Sequence, residues 1–270
     1  MKSFNIDKEI EFIKGILYLK NKYPDTFMKY YWKPQFYYNG LPDIKTPKTD
    51  LDKDILKLHK LLNFPHSHSI EEKSNYRKNI DLIIKKFNFK FNNNISNHEK
   101  MIQKASLYRY YVIGALNNIS LSVSPKLKKL WNINFELFGA FYNTNYDYCG
   151  LFSDIEKSCC DFYTFKLTKN MTILINPPYT KKWIQISCKI INNIMEKKLN
   201  TKIYLVIPVW NLCDRKMLNY KMCEDLPEID DLKKNKYLIS HTIKNIEFYN
   251  GILKKIVHLK DKVHIFIFTN

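Results

Sequence analysis

The chain is poor in arginine, has no paired-cysteine motif and lacks a long apolar run, and each shortage narrows what it can be. Of its 270 residues 44 are Lys or Arg, but arginine appears only at positions 77, 109 and 215. The Lys-rich, Asn-rich usage resembles AT-rich coding bias. The net charge of +18 therefore favours a polyanionic partner, RNA or DNA, but only weakly by itself. The cysteines at 149, 159, 160, 188, 213 and 223 show no C-x-x-C spacing. They read as reduced, semi-buried thiols of an intracellular protein. His66 and His68 with Glu71 form a partial ligand set that no further cluster completes, so no metal is expected. No apolar stretch approaches the ~18 residues of a membrane span, and the first residues lack a signal-peptide core, so no membrane association is expected. No internal repeat is visible. What is present is 45% apolar and 15% aromatic content, enough for a globular chain with one large domain, or one domain plus an extension.

The most informative residues are Asn176-Pro177-Pro178-Tyr179, which follow the apolar run Met171-Thr172-Ile173-Leu174-Ile175. Consecutive prolines fix φ and present carbonyl oxygens with no competing N–H. The residue before them is pushed to an extended conformation, which turns the Asn side chain outward. Its amide oxygen and the Pro177 carbonyl can accept both hydrogens of an amino group while the Tyr179 ring stacks on a base. The nitrogen lone pair is then left for an incoming methyl carbon. The bland alternative is a strand-ending turn, since Asn-Pro marks turns.

Apolar periodicity predicts helices over 5–22, 51–63 and about 70–88, and helices are also expected over about 98–116 and, briefly, from Pro125 to near Trp131. A proline-punctuated stretch at 23–50 carries the aromatic cluster Tyr30-Tyr31-Trp32…Phe36-Tyr37-Tyr38, either packed irregular structure or a surface for stacking RNA. Strands are expected at 134–141, 171–175, 203–208, 237–243 and 262–269, with an amphipathic helix after 179. The pattern predicts a helical lobe, 1–95, bounded by the polar segment at 92–97, and an α/β domain with a largely parallel sheet, 96–270. In such sheets ligands gather at the carboxyl ends of strands near a switch point. That selects the 135–143 segment, the 176–179 tetrapeptide and Ile207-Pro208-Val209-Trp210. Asp154 is a candidate for a ribose or amino group, and Trp210 for stacking on a base, with a surface loop and core packing as their respective alternatives.

Taken in order, Leu107-Tyr108-Arg109-Tyr110-Tyr111, Phe135-Glu136-x-Phe138, Asn143, Tyr148-Cys149, Phe152-x-Asp154, Asp161-Phe162, Asn176-Pro177-Pro178-Tyr179, Ile207-Pro208-x-Trp210 and Val263-His264 resemble one family. It is the cap-specific mRNA adenosine N6-methyltransferases, named after the phosphorylated-CTD-interacting factor. The resemblance spans about residues 104–270, and only its Asn-Pro-Pro-Tyr block is specific on its own. It implies a Rossmann-like domain dependent on S-adenosylmethionine, preceded by a helical domain, with the cap between the two. The reaction implied is methylation at N6 of the first transcribed, usually 2′-O-methylated, adenosine beside a 7-methylguanosine cap, so the implied partner is the capped mRNA 5′ end. By position, Asn176, Pro177, Pro178 and Tyr179 would be catalytic. Phe138, Asn143, Phe152, Asp154 and Asn176 would border the cofactor. Arg109, Tyr179, Lys181 and Trp210 would lie on the substrate side, Arg109 as a phosphate or cap contact.

The chain departs from the family in three places. It shows no WW module, which favours a cytoplasmic over a nuclear setting. Glu156-Lys157-Ser158-Cys159-Cys160 replaces a glycine-rich stretch expected after Asp154. Lys181 stands where relatives carry an acidic residue. Two other readings stay open: an internal-RNA or DNA adenine methyltransferase, and an inactive RNA-binding scaffold of the same fold. Flipping a base from duplex DNA usually calls for a target-recognition domain, and the N-terminal helices offer no obvious one.

Overall fold

The computed structural model describes residues 4–27, 37–38, 40–92, 94–116, 121–144, 146–152, 155, 166–179, 181–209, 227–260 and 262–270. The chain divides into two compact units, Met1–Ser120 with Gly150–Tyr163, and Leu121–Cys149 with Thr164–Asn270. The first unit holds helices α1 (Ile6–Lys22), α2 (Asp50–Leu62), α3 (Ile70–Phe87) and α4 (Asn97–Val112), with a two-residue hairpin β1 (Tyr37–Tyr38) and β2 (Leu41–Pro42). Each expected helix is found within a few residues of its expected ends. The interior of α1 is Ile10, Phe12, Ile13, Ile16 and Leu19, a stripe at helical spacing; Ile10 and Ile13 lie on the face expected from sequence, whereas Leu17, expected with them, is exposed. It meets α2 closely at Gly15, where an added Cβ would stand 2.3 Å from the Leu58 side chain.

The domain boundary expected at 95/96 lies instead at 120. The polar segment that suggested it is a helix cap. Ser96 Oγ accepts from the Glu99 backbone N–H, and the Glu99 carboxylate accepts from the Ser96 N–H, a capping box that starts α4. Helix α4 then packs on α1 and α3. It stops short of the expected 116 because Gly114 takes φ +72°. The Gly114 and Ala115 N–H groups close back onto the Tyr111 and Tyr110 carbonyls, the paired bonds of a glycine-terminated helix.

The second unit is mixed α/β. It contains β3 (Leu121–Val123), α5 (Pro125–Leu130), β4 (Phe135–Glu136), β5 (Asp147–Tyr148), β6 (Thr172–Ile175), α6 (Lys181–Met195), β7 (Lys202–Pro208), α7 (Pro227–Lys233), β8 (Leu238–Lys244), β9 (Glu247–Asn250), β10 (Lys255–His258) and β11 (Val263–Thr269). Six strands form one sheet in the order β5-β4-β6-β7-β11-β8. The first three pairings are parallel, and β11 runs antiparallel to both β7 and β8. The sheet is therefore mixed rather than largely parallel. A second sheet, β10-β9-β3, had no counterpart in the sequence reading.

Leu174, Tyr204, Val206, Val263 and Ile265 of the large sheet form one core cluster with Val123, Ile133, Ile246 and Phe248. Trp131 stacks on Tyr204 with ring planes 8° apart. The alternate residues Ile173, Ile175, Ile203, Leu205, Ile207, Phe266 and Phe268 are buried too, so β6, β7 and β11 are covered on both faces. That explains why these strands read as continuous apolar runs. Each such side chain contributes about 1.5–3 kcal/mol on burial. Helix α6 has a buried stripe of Trp183, Ile184, Cys188, Ile191, Ile194 and Met195. The thiols of Cys149 and Cys188 are both buried, and burial pushes Cys188 up to about 12.

Across β8 and β11, His241 Nε2 and His264 Nδ1 stand 2.9 Å apart, stacked beside Phe266. Burial, then the positive fields of His241 and Lys233, lowers His264 from 6.5 to about 4. The unfolded chain thus takes up this proton first on acidification. The stability from neutral His264 is complete above its unfolded pKa and is lost as pH falls from about 6.5 to 4. Thermal unfolding midpoints should be level above about pH 7 and decline through that window, and the decline should be shallower in His264→Gln. A midpoint flat down to about pH 4 would contradict the assignment.

Candidate functional site

The tetrapeptide begins where β6 ends. Ile175 is the last paired residue, and Pro177 and Pro178 have no N–H with which to continue a ladder. The chain leaves the sheet there and enters α6 at Lys181. Asn176, Pro178 and Tyr179 are half-buried and Pro177 is buried. Parallel pairing puts the carboxyl ends of β4, β6 and β7 on one edge. Glu136 pairs with Leu174, and the Leu137 N–H reaches the Leu174 carbonyl at 2.9 Å. Continued for two residues beyond the last pair, this register leads to Phe138 and Asn176 at the carboxyl ends of the two strands. Phe138 also meets Trp183 of α6 edge-on, with ring centroids 5.4 Å apart. Phe138, the 176–179 tetrapeptide, Lys181 and Trp183 thus share one corner of the second unit.

The Tyr179 hydroxyl donates to Asn176 Oδ1 at 2.8 Å. Desolvation of that hydroxyl raises its pKa, so it remains a donor at any ordinary pH. The bond fixes the orientation of the Asn176 amide. It uses one of the two lone pairs on Oδ1 and leaves the second for another donor. The expectation was that Tyr179 presents only its ring to a base; the phenol is tied to the amide as well.

The loop after β4 is held by buried charge that the sequence reading passed over. Lys128 of α5 and Glu136 are both almost fully buried and their charged atoms meet at 2.5 Å. Ser122 donates to the other carboxylate oxygen at 3.1 Å, and Thr144 donates to the oxygen that Lys128 contacts. Lys128 also donates to the Asn143 carbonyl at 3.1 Å. Burial lowers the Lys128 pKa, and the Glu136 charge opposes that shift. Gly139 lies so close to Tyr148 that an added Cβ would stand 2.6 Å from the Tyr148 Cβ. Of the expected strand at 134–141 only Phe135–Glu136 forms β4, and by Ala140 the chain turns, with the Asn143 N–H donating to the Ala140 carbonyl. The available signal was a charged residue inside an apolar strand; Lys128 is one of three lysines in α5, and nothing in the sequence singles it out.

Three expected ligand contacts are differently employed. Asn143 is only 6% exposed. Its Oδ1 accepts from the Ala140 N–H at 2.9 Å, closing the turn instead of facing a cofactor. Phe152 belongs to the first unit and is fully buried, with Tyr110 and Phe12 edge-on to it. No face of it is exposed for a cofactor. Arg109 is 1% exposed and bonded to Glu9 through Nε at 2.9 Å and Nη2 at 2.5 Å. Its guanidinium lies 4.0 Å from the Phe12 ring centroid. It is a buried structural ion pair, not a phosphate or cap contact. Gly40, at φ +77°, lets the backbone approach, since a Cβ there would stand 2.8 Å from Arg109 Nη1.

Asp154, Trp210, the 156–160 segment and most of the 30–38 aromatic cluster lie outside the described residues. His66 and His68 are engaged locally, His66 with the Leu61 carbonyl at 2.8 Å and His68 with Glu11 at 2.9 Å. Among the described residues no group of three His, Cys, Asp or Glu is placed to hold a metal ion, and no helix is long and apolar enough to cross a membrane. No protein-family model matches the chain, and no curated protein matches it.

Arg109→Ala should lower the unfolding free energy by about 3–5 kcal/mol, because it strands the Glu9 carboxylate in the core. Replacing both partners with apolar residues of similar size should recover much of that loss. Urea unfolding measures both, and an Arg109→Ala protein as stable as the parent would contradict the structural role.

Proposed function

We propose that the chain is an S-adenosylmethionine-dependent RNA methyltransferase that methylates N6 of the cap-adjacent adenosine of mRNA, and that its second unit is a Rossmann-like methyltransferase domain. One observation carries the reading. In chain order the four parallel strands are β4, β5, β6 and β7, but in space they run β5-β4-β6-β7. The connection that follows β4 runs to β5 on one side and the one that follows β6 runs to β7 on the other, so the carboxyl ends of β4 and β6 are the switch point where α/β sheets take ligands. The Asn-Pro-Pro-Tyr tetrapeptide begins at that point.

The corner suits a nucleoside-type cofactor. Phe138 offers a half-buried ring against Trp183, and the loop that follows is kept in shape by the Lys128–Glu136 pair. Bound there, S-adenosylmethionine supplies a methyl group activated by its sulfonium. Asn176 Oδ1 and the Pro177 carbonyl accept the two amino hydrogens of adenine and hold its nitrogen in line. Accepting those bonds raises electron density on nitrogen where positive charge develops, so the stabilisation is greatest at the transition state. The prolines and the Tyr179 bond hold these acceptors in place beforehand, and positioning supplies much of the rate. Lys181 puts positive charge at the start of α6, where the helix dipole is already positive. That charge suits the phosphates of an RNA 5′ end.

The reading is tested by comparing methyl transfer to capped A-start, capped G-start and uncapped RNAs of otherwise identical sequence. Transfer should be confined to the capped A-start RNA. It should fall about a hundredfold or more in Asn176→Ala, with the chain still folded and its unfolding midpoint lowered only by the loss of the Tyr179 bond. Equal transfer to uncapped RNA would refute cap specificity, and full activity in Asn176→Ala would refute the site.

A further inference from the structure

The helical unit contains a cavity that the methyl-transfer chemistry does not use. It measures about 360 Å3, near the lower end of the range that holds small organic ligands. Its walls include Leu17 and Lys20 of α1, Phe87 of α3, and Tyr108 and Tyr111 of α4. The ring planes of Tyr108 and Tyr111 are 19° apart, and Phe87 meets Tyr111 edge-on. Lys86 Nζ lies 5.3 Å from the Tyr111 ring centroid and 5.9 Å from that of Phe87. Lys20 Nζ donates to the Val112 carbonyl at 2.9 Å, and an ammonium has two further donors. Among the described residues that line the cavity none is acidic.

Aromatic walls flanked by lysines, with no carboxylate to repel an anion, match one ligand chemistry closely. Every base has a π-face for stacking regardless of sequence, and each nucleotide brings a phosphate. We propose that this cavity is a second nucleotide subsite, taking one base of single-stranded RNA other than the methylated one, with Lys20 and Lys86 meeting the backbone phosphates. The choice of RNA as occupant rests on the function proposed above. Stacking makes the subsite tolerant of base identity, so it adds affinity for the strand without adding sequence preference.

The test uses the full chain and an uncapped, fluorescently labelled oligouridylate of about ten nucleotides, which offers neither a cap nor an adenosine. Its affinity, read by anisotropy, should fall about tenfold in Tyr111→Leu and be retained in Tyr111→Trp. In Lys20→Gln the slope of log affinity against log salt should shrink by about one. Unfolding midpoints measured alongside identify any variant that has lost its fold, and Tyr111→Trp keeps the test open if Tyr111→Leu does. Unchanged affinity in Tyr111→Leu with an unchanged salt slope in Lys20→Gln would overturn the subsite, as would an absence of oligouridylate binding by the parent chain. A parallel titration with S-adenosylhomocysteine separates the two ideas. Oligouridylate held through Tyr111 by a chain that takes up no S-adenosylhomocysteine would keep the subsite and refute the methyltransferase.

Discussion

The parallel pairing of β4 with β6 is the contact on which the rest of the second unit depends. Because β5 pairs on one side of β4 and β6 on the other, the connections that follow β4 and β6 diverge at their carboxyl ends. The two prolines after Asn176 make that edge abrupt. They supply acceptors but no donors, so backbone pairing stops there. Buried apolar side chains on both faces of β6, β7 and β11 stiffen the platform. The edge can then hold a fixed arrangement of hydrogen-bond acceptors at little cost in reorganisation.

Two buried ion pairs have different jobs. Lys128–Glu136 ties a helix to the end of β4 and, through the Asn143 carbonyl and Thr144, to the loop beyond it. Arg109–Glu9 joins α4 to α1 inside an aromatic shell in the helical unit. Neither is strong evidence of net stability, because desolvating two charges offsets most of their attraction. Both penalise alternative packings, since an unpaired partner would be a buried charge.

The elements were largely legible because they obey short-range rules. Apolar periodicity located α1, α2 and α3 to within a few residues, and four of the five expected strands fall within a residue or two of where their apolar runs sit. The carboxyl-end placement of the 176–179 tetrapeptide was also readable, because an apolar strand before a double proline has few other outcomes. Long-range contacts were not. Arg109 resembled a ligand contact from its charge among tyrosines, and its partner Glu9 lies 100 positions away in the chain. Asn143 was selected as part of a strand-end segment and by resemblance, and Phe152 by resemblance alone. Nothing local reveals that the first closes a turn and the second fills an aromatic cluster. The β9–β10 hairpin escaped because its strands are short and half-exposed.

The central claim is that the switch point at the ends of β4 and β6 binds S-adenosylmethionine beside Asn176. Calorimetric titration of the chain with S-adenosylmethionine tests it most directly. The account predicts one saturable site, weakened when Phe138 is replaced by Ala and retained when Arg109 and Glu9 are replaced together by apolar residues. Absence of binding by the folded parent chain would contradict it.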